Sequence, residues 1–330
     1  MNEVNIDRVI VDITNKCNLK CMMCANRCDP SRNIEMPVEV FKKIAEQTFP
    51  YAQKIWLSCS YESLMHSEFN KIMGYLDTEC ETTLITNGTL LNEDNIELII
   101  ESGMDWIFIS FDGAKKETFD KIRNGARFEK VLSNIEMINE KKLNKNILNP
   151  ELGFMVTLMM SNIIEFPEIV ELARFLKISS IHCKPVHKTS VLPDNEMLIA
   201  DDMIYDSFTE GMNLAKKYGI EFVVSTDLEK LMCLIHENNI NNSSPLFPNS
   251  AGTTNSRRRG WCGEGSQSLQ ILPDGQMKPC TNWAIAPIGD FTKDNFLDIW
   301  NKDTFVKFRK AFDTNTPWKD CVNCEYYMPE

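Results

Sequence analysis

Hydrophobic and polar positions follow two different periods along the chain as far as residue 225. Seven short runs rich in β-branched residues predict strands, and the stretches between them carry apolar residues at helical spacing. Gly103 and Gly219 stand where two of these helices are expected to end. The predicted strands are residues 9–13, 54–58, 82–86, 106–111, 154–159, 180–184 and 221–224. The predicted helices are residues 37–47, 68–76, 93–101, 128–141, 167–176 and 202–217.

This alternation of strands and helices indicates the fold class. Repeated strand–helix units are typical of a parallel sheet that is covered by helices. Six or so units are more than a minimal open sheet needs and fewer than the eight of a closed barrel. The pattern therefore predicts an α/β fold, a partial TIM barrel of the (β/α)6 type, over residues 1–236.

A second, smaller unit is predicted after the barrel. Residues 237–260 are rich in Asn, Ser and Gly and predict a linker. Residues 268–272 and 276–278 flank the turn sequence Pro273-Asp274-Gly275 and predict a β-hairpin. A helix is expected near 301–312, so the C-terminal unit, residues 261–330, combines a hairpin with a helix.

Composition narrows the class of partner and the compartment. The net charge of −12 has the wrong sign for a protein that binds a nucleic acid backbone, and the basic run Arg257 to Arg259 is short. No apolar run approaches the ~20 residues that span a bilayer, and the N-terminus does not resemble a signal peptide. We therefore expect a cytoplasmic protein with no nucleic acid or membrane partner. In a reducing compartment, patterned cysteines among the twelve are metal ligands or catalytic thiols more often than disulfides.

The first group of cysteines is Cys17, Cys21 and Cys24, in the loop directly after the first predicted strand. Active sites of parallel α/β folds lie at this end of the strands. Three thiolates can bind three irons of a cubane cluster and leave the fourth iron open for a ligand. Structural zinc, the alternative, takes four ligands, and Cys28 could supply the fourth.

The spacing Cys-x3-Cys-x2-Cys after the first strand resembles the signature of the radical S-adenosylmethionine (radical SAM) superfamily. The resemblance implies a [4Fe–4S] cluster whose open iron binds the amino and carboxylate groups of S-adenosylmethionine (AdoMet). One-electron cleavage of AdoMet then gives a 5′-deoxyadenosyl radical that removes a hydrogen atom from the substrate. A reducing partner such as a flavodoxin or ferredoxin is implied as well.

The resemblance also assigns residues that bind AdoMet. Glu62 ends a stretch where the family has Gly-Gly-Glu, which holds the methionine amino group. The chain departs from the family at Ser60 and Tyr61, which replace both glycines. At the ends of the third and fourth strands, Asn87, Ser110 and Asp112 occupy positions similar to those that contact the cofactor in the family, the last two resembling ribose contacts.

The second group of cysteines is Cys262, Cys280, Cys321 and Cys324. Four cysteines form a complete ligand set for a closed [4Fe–4S] cluster or for zinc, and spacing alone does not choose between them. The pattern resembles the auxiliary-cluster domain found after many radical SAM barrels, in its shorter Twitch form rather than the full SPASM form. The resemblance implies one auxiliary [4Fe–4S] cluster.

The expected reaction follows from the same resemblance. An auxiliary cluster commonly accepts the electron that remains after hydrogen abstraction, which gives a two-electron oxidation of the substrate. Relatives act on ribosomally made peptides or on small polar molecules. Because Cys17 comes too early for an N-terminal peptide-binding domain, we expect an oxidoreductase acting on a carbohydrate- or aminocyclitol-like molecule. A peptide maturase that crosslinks, oxidises or epimerises its substrate is the alternative.

Several residues and functions stay open at this point. No catalytic base is identified, although Lys184 and His187 lie near the end of a strand. Cys59 and Cys183 end strands and are candidates for substrate contact. A zinc-stabilised binding protein and a non-catalytic electron carrier are the alternatives outside enzymology. The three-cysteine group argues against both, since neither needs an open iron.

Overall fold

The predicted strand–helix alternation is present in the computed structural model, which describes residues 4–28, 33–76, 79–199, 201–238, 268–281, 285–313 and 318–321. Ten strands within these residues form one sheet. They are β1 (Ile6–Val11), β2 (Ala52–Leu57), β3 (Glu81–Thr86), β4 (Trp106–Ser110), β5 (Glu151–Leu158), β6 (Ser180–Pro185), β7 (Glu221–Val224), β8 (Ser268–Ile271), β9 (Gln276–Lys278) and β10 (Gly289–Asp290).

Helices connect the strands of this sheet. The first six are α1 (Val38–Thr48), α2 (Phe69–Met73), α3 (Glu93–Glu101), α4 (Lys116–Ile122), α5 (Phe128–Lys145) and α6 (Phe166–Phe175). They are followed by α7 (Asp202–Tyr218), α8 (Thr226–Asn238), α9 (Phe296–Trp300) and α10 (Asp303–Asp313). Strands β1 to β7 pair in chain order, each parallel to the next. A helix can return the chain to the start of the next parallel strand. The alternation between strand-type and helix-type spacing of the apolar residues predicted this connection.

One face of the sheet carries the main hydrophobic core. Side chains alternate between the two faces of a strand, so Val9, Val11 and Ile55 share a face, and all three are fully buried. Helix residues such as Phe41 of α1 and Ile96 of α3 belong to the same buried cluster. Burial of this face against the helices is the main source of the stability of the fold.

The opposite face is concave and carries aromatic rings. Trp106 stacks on Phe108 with ring centroids 5.4 Å apart, and Phe108 contacts His182 of β6 at 4.4 Å. Burial is the main cause that lowers the pKa of His182, to about 4; the carboxylate of Glu221 opposes this shift, and the positive charges of Arg8 on β1 and Lys54 on β2 support it. The strand order β1 to β7, with each strand parallel to the next and helices between them, is that of an open part of a TIM barrel. The predicted partial TIM barrel is confirmed.

The C-terminal hairpin joins the same sheet on the other side of β1. Strand β8 pairs in parallel with β1, and β9 pairs with β8 in antiparallel register with Lys278 opposite Gln270. The predicted hairpin is confirmed within a residue. Lys43 of α1 donates to the carbonyl oxygens of Phe291 (3.0 Å) and Asp294 (2.8 Å), which also fastens this unit to the barrel.

Some expectations differ from the structure, and some lie outside the described residues. The helices α4 and α8 were not expected from the pattern, and β1 begins and ends earlier than predicted. Helix α8 extends to Asn238, inside the predicted linker, whose remaining residues are outside the described ranges. The boundaries at 236 and 261 stay predictions. No helix in the described part of the chain is both long and apolar enough to cross a membrane.

Gly153 of β5 allows the close approach of Phe108, and its replacement tests this contact. A Cβ atom at Gly153 would lie 2.3 Å from Cε1 of Phe108, so Gly153→Ala must displace the ring or the strand. We expect a loss of about 1–3 kcal/mol in the free energy of unfolding, measured by anaerobic urea denaturation. The control Gly74→Ala places its Cβ no closer than 3.4 Å to another atom and should change stability by less than about 0.5 kcal/mol. Equal effects of the two substitutions would contradict this packing.

Candidate active site

The three cysteines of the first group lie in the loop after β1, at the carboxyl edge of the sheet, which is the edge formed by the C-terminal ends of the parallel strands. Cys21 is buried, whereas Cys17 and Cys24 are partly exposed, and none forms a disulfide. The backbone N–H of Cys24 donates to the carbonyl oxygen of Cys21 at 3.1 Å, which closes a turn between them. The side chain of Cys28 lies outside the described residues.

Hydrogen bonds to neighbouring elements hold this cysteine loop, residues 16–27, in place. They join Lys20 N to Asn124 O (2.8 Å), Met22 N to Ile122 O (2.8 Å), Glu62 N to Lys16 O (3.0 Å) and Arg27 Nη2 to Val191 O (3.0 Å). The partners come from the end of α4, the loop after β2 and the loop after β6. These hydrogen bonds therefore position the loop against the barrel.

Arg123, just after α4, places a positive charge beside the cysteine loop. Its Nη1 donates to the sulfur of Cys21 at 3.8 Å, and its Nε lies 2.5 Å from Oδ2 of Asp112 in an ion pair that is not aligned as a hydrogen bond. Burial alone would lower the pKa of Arg123, but the charges of Asp112 and Cys21 outweigh it and raise the pKa. The guanidinium therefore stays charged and opposes the effect of burial on Cys21, whose thiol pKa is nevertheless raised above its ordinary value. Sequence reasoning missed Arg123, because no local spacing connects it to the cysteines.

The donor set suits a cluster better than a single metal ion. In the ranges that the structure describes, no three cysteine, histidine or carboxylate side chains converge on one metal-sized point. A zinc ion would need its sulfur ligands within about 2.3 Å of such a point. A cubane cluster uses one thiolate for each iron and so takes cysteines that are spread along a loop. Three cysteine side chains along one loop, with a cation beside Cys21, therefore fit a [4Fe–4S] cluster.

Glu62 is a fully buried carboxylate that joins the ends of β2 and β3. Its Oε2 accepts the backbone N–H of Asn87 at 2.7 Å, and its Oε1 accepts the hydroxyl of Thr86 at 2.8 Å and the N–H of Leu64 at 3.4 Å. Burial raises the pKa of Glu62 to about 7, although these donors oppose the shift. A cation brought next to this carboxylate would restore its charge, which suits the expected role toward an ammonium group.

Of the other predicted AdoMet contacts, Asn87 lies closest to the cysteine loop. Its Nδ2 donates to Oδ1 of Asn18 at 2.9 Å, and Asn18 lies between Cys17 and Cys21 in the sequence. Ser110 is the last residue of β4 and is partly exposed. Asp112 is fully buried, and its carboxylate accepts the N–H of Thr157 at 2.7 Å besides contacting Arg123. Its ribose contact stays a prediction, whereas its contact with Arg123 is part of the structure.

Asp12, directly after β1, is a further site residue that the sequence analysis did not select. It is fully buried, and its Oδ1 accepts the N–H groups of Cys59 at 2.8 Å and Ser60 at 3.3 Å. Its Oδ2 accepts Nε2 of Gln270 in β8 at 2.7 Å. A carboxylate inside the apolar run Val9–Ile13 was the available signal, since such a residue is buried only with partners.

The remaining candidates separate into core and surface positions. Cys183 is buried in the main core, whereas Cys59 is exposed at the carboxyl edge. Lys184 is exposed near the end of β6, and His187 follows in the next loop. Of the second cysteine group, Cys280 and Cys321 are buried and free of disulfides. Cys262 and Cys324 lie outside the described residues.

Comparison with known families agrees with this geometry. The family model of the radical SAM superfamily matches residues 11–173, and the model of the iron–sulfur cluster-binding SPASM domain matches residues 262–325. The two ranges together cover more than half of the chain. The chain belongs to the radical SAM superfamily and carries a SPASM domain. Membership implies a [4Fe–4S] cluster and AdoMet as cofactors of the barrel, and auxiliary iron–sulfur chemistry in the C-terminal unit.

Individual relatives are similar to parts of the chain. A probable GTP 3′,8-cyclase of Methanocella arvoryzae is 33% identical over 133 residues, 40% of this chain and 43% of the relative. The antilisterial bacteriocin subtilosin biosynthesis protein AlbA of Bacillus subtilis is 22% identical over 311 residues, 91% of this chain and 60% of the relative. The chain thus spans about half the length of the curated relatives it matches.

Solved structures share the fold. Streptococcus suis SuiB bound to S-adenosylmethionine superposes with a TM-score of 0.68 at 12% identity, covering 93% of this chain and 68% of that chain. The native enzyme anSMEcpe with bound AdoMet superposes with a TM-score of 0.63 at 16% identity, covering 97% of this chain and 87% of that chain. These similarities confirm the fold class of barrel and C-terminal unit.

The raised pKa of Glu62 predicts a pH dependence of stability in the protein without cofactors. The group is protonated in both states below its ordinary value of 4.5, and between 4.5 and about 7 only the folded protein keeps the proton. The free energy of unfolding should therefore fall as pH rises through this interval, by on the order of 3 kcal/mol from this group. Glu62→Gln should remove that part of the dependence in urea titrations from pH 4.5 to 8.

A matched substitution controls for the lost charge. Glu39→Gln replaces an exposed carboxylate on α1 and should leave the pH dependence of the wild type in place. Parallel stability curves for the wild type and Glu62→Gln would show that Glu62 ionises in the folded protein near its ordinary value of 4.5 and would contradict the predicted shift.

Proposed function

We propose that this protein holds a [4Fe–4S] cluster through Cys17, Cys21 and Cys24 and uses AdoMet to abstract hydrogen from a peptide substrate. The observation that carries the proposal is the cysteine loop itself. It presents three cysteine side chains at the carboxyl edge, hydrogen-bonds to three neighbouring elements, and has Nη1 of Arg123 3.8 Å from the sulfur of Cys21. A closed structural metal site needs neither an open iron nor a cation beside its thiolates.

The cluster and AdoMet, when bound, supply a 5′-deoxyadenosyl radical by one-electron cleavage of the sulfonium, with the electron coming from a flavodoxin or ferredoxin. The residues of the chain prepare this chemistry. Arg123 offsets the negative charge of the thiolates, and Asp112 keeps the guanidinium in position. Glu62 accepts hydrogen bonds from the amino group of AdoMet, and Asn87 and Ser110 line the same edge next to it.

An apolar cover beside the cysteine loop excludes water. Met22 and Met23 pack against a small cluster separate from the main core, formed by Ile122, Met159, Val186 and Leu192 together with Met197. Met159 and Val186 come from the ends of β5 and β6, so the cover links the cysteine loop to the far side of the barrel. Exclusion of water protects a carbon radical from side reactions.

The second cysteine group holds one auxiliary [4Fe–4S] cluster through Cys262, Cys280, Cys321 and Cys324. The two described members, Cys280 and Cys321, are buried, as a closed cluster requires. A fully ligated cluster can take the electron left on the substrate radical after hydrogen abstraction. The substrate then loses one hydrogen atom, one electron and one proton in total, which is a two-electron oxidation.

The substrate class is a ribosomally made peptide. The subtilosin biosynthesis protein AlbA aligns over 91% of this chain, and its name assigns it to the biosynthesis of a bacteriocin. The cyclase relative aligns over only 40% of the chain, so its similarity supports a statement about part of the chain and not about the substrate of the whole protein. A carbohydrate- or aminocyclitol-like substrate, expected from the early position of Cys17, stays a prediction that the same assay tests.

The first experiment counts the metal of the anaerobically purified and reconstituted protein. We expect about eight irons per chain in the wild type and about four in a variant with Cys17, Cys21 and Cys24 all changed to Ala. The variant should also lose AdoMet cleavage to 5′-deoxyadenosine with dithionite as reductant. Cys233→Ala, at an exposed position of α8, is the control and should keep all the iron. Zinc in place of iron, or cleavage that survives the triple substitution, would contradict the proposal.

The substrate class is tested by deuterium transfer. Extract from cells grown in heavy water is separated by size and offered to the enzyme with unlabelled AdoMet, and deuterium in 5′-deoxyadenosine is measured by mass spectrometry. A peptide substrate predicts transfer that is lost after protease treatment of the extract. Transfer that persists in a protease-treated small-molecule fraction would favour the carbohydrate-like substrate instead.

A further inference from the structure

The carboxylate of Asp12 determines the orientation of two peptide units in the loop after β2. Its Oδ1 accepts the N–H groups of Cys59 and Ser60, and the hydroxyl of Ser58 approaches the same oxygen at 3.4 Å. In a planar trans peptide, the C=O points opposite to the N–H of the next residue. The carbonyl oxygens of Ser58 and Cys59 must therefore point away from the buried carboxylate, toward the open side of the loop.

The loop needs this support because it has no glycine. Ser58 has a φ of +69°, in the left-handed region that side chains other than glycine disfavour. The next carbonyl, that of Ser60, receives Nδ2 of Asn26 from the cysteine loop at 3.4 Å, so this loop faces the cysteines. Carbonyl oxygens on that side can accept hydrogen bonds from an ammonium group.

The second oxygen of Asp12 connects this loop to the C-terminal unit. Oδ2 accepts Nε2 of Gln270 at 2.7 Å, and the backbone N–H of Asp12 donates to the carbonyl oxygen of Ile271 at 2.9 Å. Both partners belong to the end of β8. Gln270 is 3% exposed, and its Oε1 has no hydrogen-bond partner within the described residues. The side chain is therefore held through its contact with Asp12 rather than by a wider network.

We propose that Asp12 and Gln270 form a positioning pair through which the auxiliary-cluster unit controls the shape of the AdoMet-binding loop at residues 58–62. The pair contacts neither cofactor directly and acts through the backbone of Cys59 and Ser60. The proposal rests on the proposed function for the role of that loop. If the proposal holds, a substitution at Gln270 in the C-terminal unit, far in sequence from residues 58–62, alters the affinity for AdoMet.

Substitutions that exchange the hydrogen-bond donor and acceptor between Gln270 and Asp12 test the pair. Gln270→Glu removes the amide donor to Oδ2 of Asp12 and sets a second carboxyl group there. The two groups must hold one proton between them or move apart, so AdoMet binding should weaken by about tenfold or more. Asp12→Asn in the same chain restores a donor opposite the new carboxylate and should return the dissociation constant to within about threefold of the wild type. Gln270→Met, which keeps the packing but removes the donor, should weaken binding by an intermediate factor. AdoMet binding is measured by equilibrium dialysis on the reconstituted protein.

Hydrogen–deuterium exchange at residues 58–62 is the second readout and needs no AdoMet. Exchange should rise in Gln270→Glu and fall again in the double variant, with unchanged iron content in all forms. Unchanged exchange in both Gln270→Glu and Gln270→Met, or a double variant no better than Gln270→Glu, would overturn the pairing. If the variants change the exchange at residues 58–62 as expected but the wild type does not bind AdoMet, the proposed function is wrong. The coupling between Asp12 and Gln270 then still stands. Should Gln270→Glu fail to take up iron, Gln270→Met decides by the same measurements.

Discussion

Buried carboxylates at the carboxyl edge are the interaction on which the site depends. Asp12 after β1 accepts N–H groups from the loop after β2, Glu62 after β2 accepts the N–H of Asn87 after β3, and Asp112 after β4 accepts the N–H of Thr157 at the end of β5. Sheet pairing stops where the strands end, so these N–H groups would otherwise be buried without a partner. Each carboxylate thus fixes the loop of a following strand, and the loops together form one rigid rim.

The same arrangement sets the electrostatics of the site. A buried carboxylate is costly unless hydrogen bonds or a cation compensate it. Asp112 has Arg123 as a cation, whereas Glu62 has neutral donors and a pKa raised to about 7. Glu62 and Asp12 are therefore the carboxylates of the rim that depend mainly on neutral donors, and burial raises the pKa of both. Of the two, Glu62 lies where a positively charged ligand group is expected. The cation of Arg123, already committed to Asp112, extends toward the sulfur of Cys21 instead.

Local sequence patterns predicted most of the fold, but in the site they predicted little beyond the cysteines and the AdoMet-binding candidates. The strands were predictable because their β-branched runs form the buried outer face, and the hairpin because Pro273-Asp274-Gly275 specifies a turn. The short helix α4 has few apolar residues and was missed. The parallel pairing of β8 with β1 joins residues some 260 positions apart, as in the contact of Arg8 with Ser268, and no local signal encodes it. Arg123 was missed for the same reason.

The departure from the family pattern at Ser60 and Tyr61 has a physical resolution in the structure. Glycine would give the loop after β2 its turn without strain. Here Ser58 takes the left-handed conformation, and its hydroxyl donates to the carbonyl oxygen of Tyr61 at 2.9 Å and accepts the N–H of Tyr61 at 3.2 Å. These bonds and the carboxylate of Asp12 offset a conformational cost of roughly 1–2 kcal/mol. Side-chain hydrogen bonds thus replace backbone freedom, and the shape of the loop comes to depend on Asp12 and, through it, on the C-terminal unit.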